Sequence, residues 1–488
     1  MEDPLFRLQL GLAARPVATL AVCGAVALVG APAGSTALAA ASSLPAPMPA
    51  VSDYQLLTAS TTPPTEAQCF AIGRRCFTPT AMQNSYNLLP LYAAGDKGQG
   101  VTIAIIDSFG NPNMASDLAN FDTQMGLPHM CGEPGAACGA GIPTFQHVYW
   151  NGKTQVKAPP PGSNGTGQQN RDAWTLETSL DVEWAHAMAP MANILNVTTN
   201  PAETQGVQGF PTMMNAEQFI VDNHQATVIT QSFGAVEEGF GSTQSLLNLR
   251  HAFISAAADG VTVLASSGDG GSANSKLTPV PNPVTFPFPT VNWPASDPLV
   301  TGVGGTYLCT DPVTGTGIDN TDPPANCDVS PAVREIGWID SGGGFSHIFA
   351  KPAYQDTLPA GSTPIGALRG VPDVAFQASS RTGPLVYDTA PGAGGWFIVG
   401  GTSCSAPQFA GLVAIADQIA GHGLGLINPT LYQLAGGQNY STYFYDVTTG
   451  NNQADPSVPG YPATTGWDPV TGLGTPDAAT LVPALAAG

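Results

Sequence analysis

The feature that most constrains the fold is a series of short, continuous apolar runs that alternate with helical stretches along most of the chain. The runs have the composition of strands buried on both faces, and they are Val101–Ile106, Ile194–Val197, Val228–Gln231, Val261–Ser266, Val300–Val303 and Trp396–Val399. Helical stretches cover 174–188, 214–223, 244–258 and 405–420. This alternation predicts one large, doubly wound α/β domain with a mostly parallel sheet flanked by helices. Catalytic groups in such folds gather at the carboxyl ends of the strands.

The N-terminus has the pattern of an export signal. Arg7 and Arg15 precede an apolar run from Pro16 to Ala31, and Ala37-Leu38-Ala39 supplies a cleavage site of small residues. We therefore expect residues 1–39 to be a signal peptide and the protein to be secreted.

The rest of the chain divides into two parts by composition. Residues 40–66 are rich in Ala, Ser, Pro and Thr and predict a linker, which leaves 67–488 for the folded domain. No later segment has the length and apolarity of a transmembrane helix, so we expect no membrane attachment after signal removal. The chain has 14 Lys and Arg against 35 Asp and Glu, and this balance excludes the basic footprint that nucleic-acid binding requires.

The cysteine spacing favours disulfides in an oxidising compartment. Beyond Cys23 in the expected signal, the cysteines form three local pairs and one single residue, namely Cys69 with Cys76, Cys131 with Cys138, Cys309 with Cys327, and Cys404 alone. Zinc is the competing interpretation, but no pair lies near a matching pair of histidines or a second Cys-x-x-Cys. We expect Cys404 to be a small buried apolar residue and not a catalytic thiol.

One serine has the local setting of a nucleophile. Gly400-Gly401-Thr402-Ser403 follows the predicted strand Trp396–Val399, and Pro407 suits the first turns of a helix. Two glycines permit a tight turn and the close approach of a substrate backbone, and a helix N-terminus places the serine oxygen near the positive end of the dipole. Taken alone, the motif is equally consistent with a serine that only caps an ordinary helix.

Carboxylic acids are better candidates than histidines for the base that such a serine needs. None of the histidines lies in a catalytic setting; they are His129, His147, His186, His224, His251, His347 and His422. Glu177 and Asp181 share one face of a predicted helix, and like charges that are partly desolvated should separate in pKa. Asp269, between glycines after another strand, is a candidate donor to a developing oxyanion when it is protonated. A solvated acidic helix face and a simple turn are the alternatives.

Taken together, these segments resemble the sedolisins, the serine-carboxyl peptidases with a subtilisin-like fold. The family's Gly-Thr-Ser-x-x-x-Pro signature is similar to residues 401–407, its Glu-x-x-x-Asp helix to 177–190, and its oxyanion aspartate to Gly268-Asp269. Further similar segments are 341–346, 352–355 and 370–375. The resemblance runs from about residue 78 to 486 with the motifs in family order.

The resemblance implies roles for individual residues. Ser403 is the implied nucleophile, Glu177 its base and Asp181 the residue that orients the base. Asp269 is the implied oxyanion residue, and Asp107 takes the position of a glutamate that extends the carboxylate network in some members. Many members also carry a large N-terminal prodomain, for which the predicted linker is too short.

Two further sites are implied by the same resemblance. Ser232, Phe233 and Gly234 are similar to a substrate-lining Ser-Trp-Gly segment, with Phe in place of Trp. The C-terminal part resembles the family's site for one structural Ca²⁺ ion, and two carboxylates with backbone carbonyls form the hard oxygen cage that calcium prefers. The implied ligands are the side chains of Asp446 and Asp468 and the carbonyls of Val447, Thr464 and Gly466.

The sequence therefore predicts a secreted, monomeric serine-carboxyl peptidase that acts on peptides or proteins at acidic pH. We expect an endopeptidase rather than a tripeptidyl peptidase. Three alternatives remain: an inactive relative that binds peptides or proteins and is stabilised by calcium, a subtilisin-type enzyme with a histidine base, and an ester hydrolase. The ester hydrolase is disfavoured because Gly-Thr-Ser does not match the Gly-x-Ser-x-Gly motif of the nucleophile elbow.

Overall fold

A computed structural model describes residues 48–50, 52–157, 171–199, 207–276, 284–320, 325–390 and 394–488. The predicted signal peptide over 1–39 and the first part of the predicted linker lie outside these residues.

The described strands and helices alternate along the chain. The strands are β1 (Met48–Pro49), β2 (Ser52–Thr58), β3 (Arg75–Phe77), β4 (Thr102–Ser108), β5 (Phe145–Trp150), β6 (Gln155–Lys157), β7 (Asn193–Thr199), β8 (Val228–Gln231), β9 (Phe233–Val236), β10 (Thr262–Ser266), β11 (Asn292–Trp293), β12 (Thr301–Leu308), β13 (Glu335–Gly337), β14 (Gly344–Ala350), β15 (Leu368–Val371), β16 (Val374–Gln377), β17 (Thr382–Asp388), β18 (Gly395–Gly400), β19 (Phe444–Tyr445) and β20 (Thr475–Pro476). The helices are α1 (Glu66–Ala71), α2 (Pro79–Ser85), α3 (Leu89–Ala94), α4 (Met114–Met125), α5 (Arg171–Met188), α6 (Phe210–Asp222), α7 (Thr243–Leu247), α8 (His251–Ala258), α9 (Thr402–Ala420), α10 (Asn428–Ala435), α11 (Tyr440–Tyr443) and α12 (Ala478–Ala486).

A nine-stranded sheet forms the centre of the fold. Its strand order is β13-β12-β10-β8-β4-β7-β5-β6, and β16 pairs with β12 off this path. The pairings from β12 through β10, β8, β4 and β7 to β5 are parallel, as is that of β16 with β12, whereas β13 and β6 pair antiparallel at the two ends. The predicted α/β fold with a mostly parallel sheet is therefore confirmed.

Strand β4 shows why the sheet needs helices on both faces. Ile103 and Ile105 belong to the buried cluster that contains side chains of α5 and α9, while Ala104 and Ile106 belong to the cluster that contains side chains of α6 and α8. Successive side chains of a strand point to opposite faces, so a continuous apolar run is the pattern expected when both faces are covered. The helices α5 and α9, which carry candidate site residues, pack against each other on one face.

The predicted run Trp396–Val399 forms a strand, but it does not lie in the parallel sheet. It is part of β18, which pairs antiparallel with β17 and β2 in a separate four-stranded sheet of order β2-β18-β17-β3. Both faces of β18 are buried, so its composition matches that of a central parallel strand. The apolar pattern indicates that the strand is buried, but it does not indicate whether the neighbouring strands run parallel or antiparallel to it.

The predicted linker over 40–66 is wrong in its described part. Strand β1 pairs antiparallel with β9, and β2 pairs antiparallel with β18. Thr65 then caps α1 in a capping box with Gln68. Strand pairing uses backbone groups that every residue other than proline possesses, so a composition typical of a linker did not prevent it.

The predicted cysteine pairing is confirmed. Disulfides join Cys69 to Cys76, Cys131 to Cys138 and Cys309 to Cys327, and the Cys404 thiol is free and buried. The described residues form one compact unit, and no helix among them combines the length and apolarity needed to cross a bilayer.

Candidate active site

Ser403 lies in the first turn of α9, directly after a sharp turn at Gly401. Gly401 has a φ of 130°, which places it in the region that favours glycine, and it leads from β18 into the helix. Ser403 is fully buried, and its hydroxyl donates to the carbonyl oxygen of Ser232 at 3.4 Å. The helix N-terminus thus holds a hydroxyl at the end of β8, where that strand leaves the parallel sheet.

Glu177 faces Ser403 from the neighbouring helix α5. Burial raises its pKa well above the usual value, and the charge of Asp181 raises it further, while a hydrogen bond from the Ser403 hydroxyl lowers it. That contact lies outside ideal geometry, since the hydroxyl is directed at Ser232 and neither carboxylate oxygen of Glu177 has a well-formed partner among the described residues. Glu177 is therefore a buried carboxyl group adjacent to the serine, and its burial disfavours the charged form.

Asp181 and Asp107 extend the carboxyl cluster behind Glu177. Ser232 Oγ donates to Asp181 Oδ1 at 2.8 Å, and Asn196 Nδ2 donates to Asp107 Oδ2 at 2.7 Å. Burial raises the pKa of Asp181 well above its usual value, with the Asp107 charge as a second cause, and burial raises the pKa of Asp107 to about 7. Because like charges this close cannot all ionise without a large cost, the cluster shares protons.

Asp269 approaches the start of α9 from the end of β10. Its Oδ1 accepts from the backbone N–H of Thr402 at 2.8 Å and from Thr402 Oγ1 at 2.9 Å. Burial raises the pKa of Asp269 to about 7. A β-carbon placed on Gly401 would lie 2.6 Å from Asp269 Oδ2, so the glycine is what permits this carboxyl group to approach. The structure thus brings Ser403, Glu177, Asp181, Asp269 and Asp107 together.

The predicted substrate-lining segment contributes its backbone. Strand β9 presents its edge to β1, with Phe233 opposite Pro49 and Gly234 opposite Met48. The Phe233 side chain is fully buried and packs 6.4 Å, centroid to centroid, from the Trp174 ring. The aromatic ring therefore supports the strand from the core side and does not line the cleft.

No histidine takes part in the cluster. All of the histidines lie in described segments, and none forms a hydrogen bond with Ser403. His147 forms a hydrogen bond with Thr198, and burial lowers the pKa of His147 to about 4. His186 Nε2 lies 3.4 Å from Asp122 Oδ2. Among the described residues, no ion pair involves Glu177, Asp181, Asp107 or Asp269.

The residues of the predicted calcium site converge in the C-terminal part of the chain. The backbone N–H of Gly466 donates to Asp446 Oδ1 at 3.0 Å, and that of Thr464 donates to Asp468 Oδ2 at 2.8 Å. Val447 and Asp468 are buried, and Asp446 is half-buried. The five predicted ligands therefore belong to two segments, which the Asp446 carboxylate joins through its hydrogen bond from Gly466.

The chemistry of this group fits a hard cation. Burial raises the pKa of Asp468 to about 7 and also raises that of Asp446, and no arginine or lysine contributes to either. In the described chain, the carbonyl oxygens of Val447, Thr464 and Gly466 accept no hydrogen bond. Carbonyl oxygen atoms without donors, together with carboxylates without a cationic partner, are what a calcium ion would satisfy.

Two other groups of potential metal ligands occur among the described residues. Glu66, Cys69 and Cys76 form the first, but its cysteines are joined in a disulfide. Asp122, His129 and Glu133 form the second, in which His129 pairs with Glu133 and the imidazole of His186 lies beside Asp122. The first group is therefore explained by its disulfide bond.

Two residues that organise the cluster had no role in the sequence predictions. Asn196 holds Asp107, and Thr402 holds Asp269 through both its backbone N–H and its hydroxyl. Asn196 interrupts an apolar strand. Because a polar side chain in a strand buried on both faces needs a hydrogen-bond partner, this residue could have been identified from the sequence as a site residue. Thr402 lies inside the Gly-Thr-Ser motif, but its partner is distant in sequence and gave no signal.

Comparison with known proteins gives relatives over most of the chain. Kumamolisin of Bacillus sp. (strain MN-32) is 32% identical over 433 residues, which cover 86% of this chain and 65% of that protein. Tripeptidyl-peptidase 1 of Homo sapiens is 32% identical over 347 residues, which cover 65% of this chain and 53% of that protein. The chain therefore spans between about half and two thirds of the length of these curated relatives. No protein-family model matches.

A solved structure gives the same result for the fold. It is that of Pseudomonas sedolisin, a serine-carboxyl proteinase complexed with two molecules of pseudo-iodotyrostatin. The TM-score is 0.62 at 26% identity, with 84% of this chain and 97% of that chain covered.

A subtilisin-like α/β fold with buried carboxyl groups around a serine defines the class of the serine-carboxyl peptidases. The resemblance expected from the sequence motifs is confirmed by the relatives and by the shared fold. The chain belongs to the sedolisin family.

Proposed function

We propose that the protein is a secreted serine-carboxyl peptidase that hydrolyses peptide bonds at acidic pH through an acyl-enzyme on Ser403. The observation that carries this proposal is the position of the Ser403 hydroxyl beside Glu177, in a buried cluster of carboxyl groups without a basic partner among the described residues. A hydroxyl group needs an adjacent base to become a nucleophile, and Glu177 is the group in place to serve as one.

In the acylation step, Ser403 Oγ attacks the carbonyl carbon of the substrate and Glu177 accepts its proton. Glu177 then delivers the proton to the leaving amine, as a general base that becomes a general acid. Asp181 and Asp107 act through Glu177, because their proximity sets which carboxyl group of the cluster holds the shared proton. Water attacks the ester in the second half of the reaction, with Glu177 in the same two roles.

Two donors support the negative charge that develops on the substrate oxygen. The backbone N–H of Ser403 lies at the N-terminus of α9, and the carboxyl group of Asp269 approaches the same turn. Asp269 is a donor only while it is protonated, and its pKa of about 7 keeps it so in acid. A preorganised donor of this kind is typically worth about 2.7–4 kcal/mol of transition-state stabilisation.

Acidic operation follows from these proton requirements. Asp269 can donate only while it is protonated, and the neighbouring carboxyl groups repel one another if all of them are ionised. Both of these protonated states are lost as the pH rises. In an enzyme with a histidine base, activity instead increases as the imidazole loses its proton. We therefore assign an activity maximum below neutrality.

We propose that one Ca²⁺ ion stabilises the C-terminal loops. Asp446 and Asp468 would hold it with their side chains, and Val447, Thr464 and Gly466 with their carbonyls. The ion would supply charge neutralisation and a fixed loop geometry. The reaction at Ser403 involves none of these residues.

Endopeptidase activity is favoured over tripeptidyl-peptidase activity by the way in which the chain's own N-terminal segment lies beside β9. Met48 pairs with Gly234 on this edge two residues before Ala50, whose carbonyl oxygen accepts from the Ser403 N–H. These contacts use backbone groups alone, so we propose that the edge binds an internal stretch of a longer chain. The substrates are peptides or proteins, the protein is a monomer, and the three disulfides support secretion.

The test is hydrolysis of a peptide library by the purified protein between about pH 2 and pH 9. We expect products with a maximum in acid, a loss of turnover in S403A, and equal cleavage of peptides with free and acetylated N-termini. A maximum above neutrality, or turnover by S403A, would overturn the proposal. Binding of peptides without turnover at any pH would favour the inactive relative instead.

A further inference from the structure

A second group of acidic and imidazole side chains lies at the end of α4, apart from the cluster around Ser403. Asp122 belongs to the last turn of α4, and His129 and Glu133 lie in the loop that follows this helix. Each of the three offers one ligand atom, and these atoms all lie within 4.8 Å of one another. Three potential ligands of a metal ion are therefore brought within reach of a single point.

Asp122 is the member of this group that the protein leaves without a donor. Its side chain is fully buried, and among the described residues neither of its carboxylate oxygens accepts a well-formed hydrogen bond. His186 Nε2 lies 3.4 Å from Asp122 Oδ2, but it donates to the carbonyl oxygen of Pro128 at 3.0 Å. A buried carboxylate without donors is costly, and a cation between Asp122 and Glu133 would remove that cost.

Glu133 is held in place by its own loop. Its side chain is fully buried. One of its oxygens, Oε1, accepts from the backbone N–H of Met130, and the other, Oε2, contacts His129 Nδ1. The disulfide between Cys131 and Cys138 closes the loop around this glutamate. Glu133 therefore presents one oxygen from a fixed backbone.

His129 is oriented so that Nδ1 can act as a ligand. Its Nε2 lies 3.3 Å from Thr123 Oγ1, and the Thr123 hydroxyl donates to the carbonyl oxygen of Ala119 at 2.8 Å. Because that hydroxyl hydrogen is already used, Thr123 Oγ1 accepts from Nε2, and the neutral ring then has its lone pair on Nδ1. Metal-bound histidines usually donate their other N–H to an oxygen in this way. The ring is 46% exposed, which gives an ion a path from solvent.

We propose that Asp122, His129 and Glu133 bind one divalent transition-metal ion, of which Zn²⁺ is the type. One imidazole and two carboxylates are ligands that zinc accepts, whereas calcium takes oxygen ligands. Bonds of about 2.0–2.2 Å to a tetrahedral ion place its ligands about 3.4 Å apart, so modest side-chain rotations within the 4.8 Å group suffice. Water would complete the shell on the exposed side of His129.

The ion would join elements that are otherwise held by few polar contacts. It would tie the end of α4 to the loop closed by the Cys131–Cys138 disulfide. Asp122 also lies beside His186, in the last turn of α5. We therefore expect zinc to stabilise the folded chain, at a site separate from the predicted calcium ligands and from Ser403.

The experiment titrates the S403A protein with ZnCl₂ by calorimetry, at about pH 7.5 so that the ligands are deprotonated. The protein is first treated with EDTA and then returned to excess Ca²⁺, which fills the C-terminal site. We expect one Zn²⁺ per chain and a Tm that rises with zinc. In the same background, D122N and H129A should each weaken zinc binding by more than the factor of about 10–100 that loss of an outer-sphere partner costs.

The matched control is H347A. His347 is also half-exposed and pairs with a carboxylate, that of Glu238. In the described part of the chain, however, this pair belongs to no group of three potential ligands. H347A should therefore bind zinc with the affinity of its parent and show the same rise in Tm.

The comparison of H129A with H347A decides the result even if D122N fails to fold, because both histidines lie at the surface. The site is wrong if S403A binds no zinc under these conditions. It is also wrong if H129A binds zinc as tightly as H347A does, since the ion then occupies other carboxyl groups or the Cys404 thiol.

Discussion

At the scale of single residues, the chemistry of the site depends on which carboxyl groups carry protons. Glu177, Asp181 and Asp107 are fully buried and Asp269 is half-buried, and burial is the main cause of the raised pKa of each. Neutral acids in a low-dielectric site act as donors, whereas ionised ones act as bases, so one set of residues supplies both functions.

Replacement of Glu177 by glutamine should separate catalysis from stability. The amide has the same shape but accepts no proton, so we expect kcat to fall by a factor on the order of 10²–10⁴. The pKa of Glu177 is higher in the folded protein than in the unfolded chain, so the unfolded chain releases this proton at a lower pH. Above the usual glutamate pKa, Glu177 therefore lowers the free energy of unfolding. The variant should therefore unfold at higher urea concentration than wild type at neutral pH and at about the same concentration in acid.

The matched control for this change is Glu217→Gln. Glu217 lies on α6, is fully buried and has a pKa raised by burial alone. It should show the same gain in urea midpoint at neutral pH with kcat unchanged. A Glu177→Gln variant that keeps the wild-type kcat would remove Glu177 from the mechanism.

Replacement of Asp269 tests the oxyanion role. Alanine removes the donor, and we expect kcat to fall by a factor on the order of 10²–10³. Asparagine keeps an N–H donor at every pH, so the ratio of wild-type to Asp269→Asn activity should fall as the pH rises through about 7, where Asp269 loses its proton. The measurement is kcat against pH for the three proteins.

Asp417→Asn is the control for Asp269. Asp417 lies near the other end of α9, and burial raises its pKa to about 7 as well. Its replacement should leave the activity ratio independent of pH. A ratio that changes equally in both variants would assign the effect to the charge of the helix and not to the oxyanion donor.

The site residues were more predictable from sequence than their partners. Ser403, Glu177, Asp181 and Asp269 each follow a local pattern of glycines, helix spacing or strand ends. The contact between Thr402 and Asp269 joins residues 133 positions apart, and no local pattern encodes it. Thr402 and Asp269 become neighbours only when the end of β10 packs against the start of α9.

At the scale of elements, the strands and helices that hold the site were predicted with the correct type. The helix predicted over 405–420 begins at Thr402, because Gly401 is the single residue between β18 and the helix, which therefore starts within the motif. The parallel placement of β18 was wrong, and β1 and β2 were missed. Pairing partners of a strand are set by contacts distant in sequence, whereas its burial is encoded locally.

The two C-terminal segments that contain Asp446 and Asp468 should depend on calcium for their stability. If the ion binds only the folded protein, a concentration one hundred times Kd should raise the free energy of unfolding by about 2.7 kcal/mol. We expect EDTA to lower the Tm of wild type and to leave that of Asp446→Asn unchanged. Asp455→Asn, in the same part of the chain but outside the predicted ligand set, should respond to EDTA as wild type does. An equal response of Asp446→Asn and wild type would contradict the assigned ligands.

At the scale of the whole molecule, the surplus of buried acids should set the pH range of stability. Burial raises the pKa of Asp107, Asp269 and Asp417 to about 7, against an ordinary value of 3.8. Between these pH values the unfolded chain has released protons that the folded chain retains, so the free energy of unfolding falls as pH rises. Each such proton contributes a slope of about 1.4 kcal/mol per pH unit.

The measurement is the urea midpoint between about pH 4 and pH 7, on S403A to prevent self-digestion and with EDTA to keep calcium from holding Asp468 ionised. The midpoint should decrease steadily over this interval. A midpoint that increases would mean that the carboxyl groups ionise in the folded protein at their ordinary pKa.

The N-terminal segment that lies beside β9 has a kinetic consequence for the molecule as a whole. A short tether holds its own target at an effective concentration on the order of millimolar. Because the Ala50 carbonyl oxygen is hydrogen-bonded to the Ser403 N–H of the same chain, a peptide in solution at micromolar concentration competes poorly for the cleft. Hydrolysis of dilute peptides should therefore begin slowly, and the initial rate should approach its maximum only at peptide concentrations on the order of millimolar.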